Sequence, residues 1–90
     1  MSEKIDFAGW VKLELDDLRR IRDELRVQAH LGKSEMRTHW EKLERTFETL
    51  ESKAKRASRA AEPPLRELEK DLRKLATDLR DGYRQIRDAI

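Results

Sequence analysis

Cysteine is absent from the sequence, and this excludes disulfide bonds and thiolate metal sites. Apolar side chains never occur in runs of more than three, whereas a transmembrane helix needs about 20 predominantly apolar residues. The first residues, Met-Ser-Glu-Lys-Ile-Asp, lack the apolar stretch of a secretory signal. We therefore expect a cytoplasmic protein without a transmembrane segment.

A large net charge is also missing. The chain has 21 lysine and arginine residues against 19 aspartate and glutamate residues, so its formal net charge is only +2. A general nucleic-acid binder would carry a larger cationic excess, so this balance argues against nucleic acid as a partner. Catalytic motifs are missing too: there is no glycine-rich phosphate loop, and none of the four serines lies beside a histidine. We predict no catalytic residues, no metal site, no cofactor and no enzyme activity.

What the sequence does have is a regular apolar seam. The steps alternate between three and four residues, as a coiled coil requires. The first part of the seam is Ala8, Val11, Leu15, Leu18, Arg22, Leu25, Ala29, Gly32, Met36, Trp40, Leu43, Phe47, Leu50, Ala54, Ala57 and Ala61, and the second is Leu65, Leu68, Leu72, Leu75, Leu79, Gly82, Ile86 and Ala89. Two consecutive steps of four follow Gly32, an insertion that unwinds a supercoil locally but leaves its helix continuous. The pattern predicts an all-α fold.

The unambiguous break is Glu62-Pro63-Pro64. Each proline lacks an N–H donor and pushes the preceding residue towards an extended conformation, and Pro64 suits the first turn of a helix. We predict one helical domain over residues 1–90, with a long helix over 7–61, a turn at 62–63 and a shorter antiparallel helix over 64–90.

The two predicted helices differ in length, at about 80 Å and about 40 Å, so the second covers only half of the first. The second helix would leave an N-terminal stripe of five apolar side chains in contact with water: Val11, Leu15, Leu18, Ile21 and Leu25. Leaving them exposed would forfeit on the order of 10 kcal/mol of folding free energy, at roughly 2 kcal/mol for each side chain. We therefore predict an antiparallel homodimer about an axis near residue 33. The predicted interface is Val11, Leu15, Leu18, Ile21, Arg22, Leu25, Ala29, Gly32 and Met36, and the predicted hairpin core is Trp40, Leu43, Phe47, Leu50, Leu68, Leu72, Leu75, Leu79, Gly82 and Ile86.

The alternative is a monomeric three-helix bundle with a turn at Gly32–Ser34. Gly32 would then end one helix in a left-handed conformation, and Ser34 would cap the next. Two observations favour the continuous helix: the apolar phase runs through the turn, and glycine inside a helix costs only about 1 kcal/mol relative to alanine.

The run from Arg22 to Glu44, RDELRVQAHLGKSEMRTHWEKLE, resembles small bacterial coiled-coil proteins of uncharacterised function. Those proteins tend to carry alanine where this chain has Gly32 and Ser34. The resemblance, which covers about a quarter of the chain, implies an unbroken helix there. It implies no activity and no functional residue.

Two charged features are candidate sites. Glu35 and His39 are four residues apart, a spacing that could hold a metal only if symmetry doubled it, so we predict a solvated pair. The candidate anion-binding residues are Lys53, Lys55, Arg56 and Arg59. The simpler reading of this basic tip is that cations at a helix C-terminus interact favourably with the helix dipole.

Arg22 is a third charged feature, because it occupies a seam position. A polar residue there often fixes register and partner choice. In the predicted dimer, Arg22 would lie near Glu44 of the other chain. The alternative is that its side chain extends from the edge of the seam and keeps its charged end in water.

These features predict a non-catalytic, homo-oligomeric coiled-coil interaction or scaffold module with an unknown protein partner. One alternative is a protein that binds anionic surfaces, nucleic acid or membrane, through the basic tip 53–59. Another is an apolipoprotein-like protein that opens onto a lipid surface, which the amphipathic helices suggest.

Overall fold

Three α-helices make up the described part of the chain. The computed structural model describes the backbone of residues 2–59 and 65–90 and the side chains of residues 9–56 and 67–90. Helix α1 is Ser2–His30, α2 is Ser34–Arg59 and α3 is Leu65–Ala89. The described residues contain no strand, so the prediction of an all-α fold is confirmed. The predicted turn at 62–63 lies outside the described residues.

The continuous helix predicted over residues 7–61 is wrong, and so is the unbroken helix that the resemblance implies. The first helix begins at Ser2 and ends at His30, and a turn at residues 31–33 leads into α2. Folding back at this turn lets the chain bury its own N-terminal stripe. That burial contributes on the order of 10 kcal/mol, whereas the turn interrupts a few helical hydrogen bonds of about 1 kcal/mol each.

The turn itself differs in detail from the three-helix alternative. The Gly32 N–H donates to the Ala29 carbonyl at 3.3 Å, and the Arg37 N–H donates to the Lys33 carbonyl at 3.0 Å. Lys33 therefore occupies the N-cap position of α2, and Ser34 is the first helical residue rather than the cap. The φ angle of Gly32 lies outside the left-handed region, so glycine is not required there for its backbone conformation.

Each helix packs against the other two, and the three apolar stripes meet in one core. The buried core residues are Leu18, Leu25, Ala29, Trp40, Leu43, Phe47, Leu50, Ala54, Leu72, Ala76, Leu79, Tyr83 and Ile86, and the partly buried residues packed on them are Trp10, Val11, Leu15, Ile21, Met36, Leu68 and Leu75. Every apolar side chain of the predicted hairpin core is in this set. The apolar side chains of the predicted dimer interface are in it as well: Leu18, Leu25 and Ala29 are buried within a single chain, and the others are partly buried.

Gly82 allows α2 and α3 to approach closely. A Cβ atom at this position would meet the side chain of Leu43, whose Cδ1 atom would lie 3.1 Å away. The neighbour that needs the space is therefore Leu43, one turn beyond Trp40 on α2.

The bundle measures 46 × 20 × 16 Å. Its long axis matches the rise of a single helix such as α1, about 43 Å for 29 residues, and is about half the 80 Å expected for the continuous helix. Over the residues described, none of the three helices combines the length and apolar character that a membrane crossing requires.

Candidate binding cleft

An open cleft of about 680 Å³ lies where the α1–α2 turn meets the last turn of α3. Its lining residues are Gln28, Leu31, Gly32, Lys33, Glu35, Met36, His39, Gln85, Ile86, Ala89 and Ile90. The floor is aliphatic, and the rim carries amides, a carboxylate, an ammonium group and an imidazole. A cleft of this size with a few polar groups around an apolar floor is a typical binding site.

Exposed aliphatic side chains gather at this end of the bundle. Leu31 is 81% exposed and Ile90 is 54% exposed, and both line the cleft. Val27, one helical turn before Leu31, is 65% exposed. Single exposed aliphatic residues such as Leu13 on α1 are ordinary, but three together beside a cleft are typical of an interaction surface.

Gly32 helps to shape the cleft, because it allows Met36 to lie against the turn. A Cβ atom on Gly32 would stand 2.5 Å from the Met36 Sδ atom and 3.3 Å from its Cβ atom. The role of this glycine is therefore close packing. Met36 is partly buried and flexible, so it suits the floor of a site that adapts to its ligand.

Arg80 fixes how α1 sits on α3. Its Nε donates to Glu14 at 2.7 Å, and its Nη2 donates to Asp17 at 2.7 Å. The hydrogen bond from Arg80 is the largest cause of a lowered pKa at Asp17, followed by the hydrogen bond from Arg20. The Glu14 hydrogen bond is the largest cause of a raised pKa at Arg80. One guanidinium group thus joins two carboxylates of α1 to α3 and sets their register.

Arg22 binds Glu44 of the same chain. The sequence predicted this partner residue, but in the other chain of a dimer. The guanidinium binds both carboxylate oxygens, with Nε 2.6 Å and Nη2 3.2 Å from them. It also lies over the Phe47 ring at 5.0 Å. The Glu44 hydrogen bond is the largest cause of a raised pKa at Arg22. This pair holds α1 against α2.

Tyr83 brings a polar atom into the core. Its side chain is 1% exposed and its ring lies 5.7 Å from that of Trp40. The Tyr83 hydroxyl and the Trp40 Nε1 have no hydrogen-bond partner within the described part of the chain. Burial is the main cause of a strongly raised pKa at Tyr83.

The basic tip is partly neutralised. Lys53 forms an ion pair with Asp71 at 3.2 Å, and Lys55 also has an interaction partner. Arg56 is exposed, and the side chain of Arg59 lies outside the described residues. The structure thus leaves anion binding at the tip as a prediction.

The pair formed by Glu35 and His39 lies on the rim of the cleft. Among the described residues, no group of three or more metal-ligating side chains surrounds a common point. A structural metal usually has three or four protein ligands, whereas Glu35 and His39 are the two side chains of this kind that line the cleft.

Comparison with known proteins finds no protein-family model, curated sequence or solved structure that matches the chain.

The sequence reasoning missed the exposed residues of the cleft. Val27 and Leu31 are apolar, four residues apart and outside the seam, so a helical pattern places them on one face that the core does not use. That offset was a usable signal. Ile90 carried no such signal, because its exposure depends on how the last turn of α3 meets the α1–α2 turn.

Proposed function

We propose that this protein is a non-catalytic interaction module that binds another polypeptide in the cleft between the α1–α2 turn and the end of α3. The observation that carries the proposal is the exposure of Leu31 and Ile90, 81% and 54%, on the walls of a cleft of about 680 Å³. Covering such side chains contributes roughly 2 kcal/mol each at most. A partner that inserts aliphatic side chains between them therefore gains affinity from surface that the bundle leaves in contact with water.

The test is a selection of helical peptides from a random display library on the immobilised protein. The selected peptides are then measured against two matched variants, Leu31→Ser at the cleft and Leu13→Ser on α1. Leu13 is 70% exposed and outside the cleft, so it reports the effect of losing any exposed leucine. We expect Leu31→Ser to weaken binding about tenfold, with Leu13→Ser close to the parent. Equal binding to both variants contradicts the proposal.

A second proposal is the homo-oligomer, now as a domain-swapped dimer. Its support is that the apolar phase runs through the turn at residues 31–33 and that Gly32 has no left-handed φ angle to be lost. If the turn straightened into helix, α1 would reach the α2–α3 pair of a second copy and form the same contacts there. Light scattering coupled to size exclusion tests it across a concentration series: a single 10.7 kDa species at millimolar protein contradicts the swap.

The other two functions predicted from the sequence have weaker support. Binding to an anionic surface through the basic tip competes with the ion pair of Lys53 and Asp71. An apolipoprotein-like opening would have to expose the core that the three helices bury together. Helicity and hydrogen exchange that stay unchanged on adding liposomes count against the lipid-surface function.

A further inference from the structure

Positive charge collects at the end of the bundle that holds the cleft. We define this cleft end as residues 26–39 and 84–90. It contains five lysine and arginine residues against two carboxylates, Glu35 and Asp88, and two histidines. The five cations are Arg26, Lys33, Arg37, Arg84 and Arg87. The formal charge of the cleft end is therefore positive, whereas the rest of the sequence carries a slight acidic excess.

These cations differ from those elsewhere on the bundle. Arg19, Arg22 and Arg80 bind carboxylates on neighbouring helices, whereas none of the five cations of the cleft end forms an ion pair within residues 9–56 and 67–90. Lys33 lines the cleft, whereas Arg84 and Arg87 line a neighbouring groove beside Arg80. The charge of the cations outside the cleft therefore acts on an approaching partner through its longer-range field.

The helix dipoles account for only some of this charge. Arg87 in the last turn of α3 interacts favourably with the negative end of that helix. Lys33 and Arg37 are different, because they lie at the N-terminal end of α2, where the dipole disfavours cations. Lys33 is also a lining residue of the cleft. A binding partner with negative charge gives these two residues a favourable role that the isolated bundle does not.

We infer that the cleft binds an amphipathic helix of a partner protein that carries carboxylates beside its aliphatic side chains. This inference rests on the function proposed above and specifies the chemistry of the partner. The aliphatic side chains pack on Leu31, Met36 and Ile86. The carboxylates lie beside Lys33, which lines the cleft, and within the longer-range field of the other cations of the cleft end.

The same observations argue against other occupants. A second copy docked cleft to cleft would bring two positively charged ends together, which opposes association. Single-stranded nucleic acid is bound largely through aromatic rings that stack on bases, and the lining of this cleft contains no phenylalanine, tyrosine or tryptophan, only the imidazole of His39. A membrane surface meets a protruding tip more easily than the concave floor formed by Met36 and Ile86.

The experiment uses two synthetic helical peptides with the same leucine face, one flanked by glutamates and the other by lysines. Binding to the full-length protein is measured by fluorescence anisotropy, and the bound surface is mapped by NMR from the amide resonances of residues 31–36 and 86–90. The test variant is Lys33→Glu with Arg87→Glu. The control is Lys12→Glu with Lys70→Glu, which changes the net charge equally at exposed residues outside the cleft end. Vesicles containing phosphatidylserine form a third arm.

We expect the glutamate peptide to bind in the cleft at least about tenfold more tightly than the lysine peptide, with the difference shrinking as salt is raised. The test variant should reverse the preference, and the control should change affinity by less than about twofold, because exposed charges act mainly within a Debye length. If the lysine peptide binds the cleft equally well, the acidic partner is refuted and the proposed function stands. If neither peptide shifts the cleft resonances, or only the vesicles do, both proposals fail.

Discussion

Replacing Gly82 by alanine tests the closest approach between α2 and α3. Helix propensity alone favours alanine by about 1 kcal/mol in the interior of a helix. At Gly82, however, the added Cβ would stand 3.1 Å from Leu43 Cδ1 and 3.2 Å from Leu43 Cγ, with Cδ2 closer still. Leu43 is 6% exposed, so its side chain has little free space to move into. Overpacking of this kind typically costs 1–3 kcal/mol, and we expect Gly82→Ala to destabilise the protein by about 1 kcal/mol net.

The chain provides a matched control in Gly9, which also lies within a helix. A Cβ atom there meets nothing within 4 Å, so Gly9→Ala should show the propensity gain alone and stabilise by up to about 1 kcal/mol. The assay is urea unfolding followed by circular dichroism, with parent and variants measured together. A double-mutant cycle completes the test: in a Leu43→Ala background the obstacle is gone, so Gly82→Ala should then stabilise.

The reasoning is refuted if Gly82→Ala raises the unfolding midpoint as much as Gly9→Ala does. It is also refuted if Leu43→Ala leaves the effect of Gly82→Ala unchanged. In either case, Leu43 would not be the side chain that occupies the space beside Gly82.

Three further predictions concern the turn and the charged and polar contacts of the bundle. Gly32→Ala should lower the unfolding midpoint slightly, because Met36 must move away from the turn. It should also raise the dimer fraction measured by light scattering, because alanine favours helix through the turn by about 1 kcal/mol. A higher midpoint with unchanged molar mass contradicts this prediction. Arg80→Met should reduce the loss of stability in acid. The lowered pKa of Asp17 stabilises the fold above its unfolded pKa of about 3.9, and this contribution disappears as the pH falls through the lower folded value; urea midpoints equally sensitive to acid in both proteins would count against it. Tyr83→Phe should stabilise the protein by about 1 kcal/mol at neutral pH, because it removes a buried hydroxyl without a partner among the described residues. The parent should lose more stability than the variant above about pH 10, because there the unfolded phenol ionises while burial keeps the folded one neutral. A variant less stable than the parent at neutral pH would overturn the reasoning.

Much of the candidate site depends on contacts that periodicity does not describe. The sequence predicted that Arg22, at its seam position, would lie near Glu44 of a second chain, and the two residues instead pair within one chain. It did not predict the bonds from Arg80 to Glu14 and Asp17, since these join α1 to α3 across more than 60 residues of chain. Their formation depends on the parallel arrangement of the first and third helices, which exists only once the chain folds back at the turn.

The sequence by itself determined that the chain is helical and which face of each helix is apolar, because the spacing of three and four residues places the same side chains on one face whatever they pack against. The tertiary structure decided whether the chain turns at Gly32. Local preferences there differ by only about 1 kcal/mol, whereas enclosing the N-terminal stripe contributes on the order of 10 kcal/mol. A helix propensity is set by neighbouring residues, but the burial of Leu18 and Leu25 depends on α3, which begins about 40 residues later in the sequence. The same long-range packing leaves Leu31 exposed and creates the cleft.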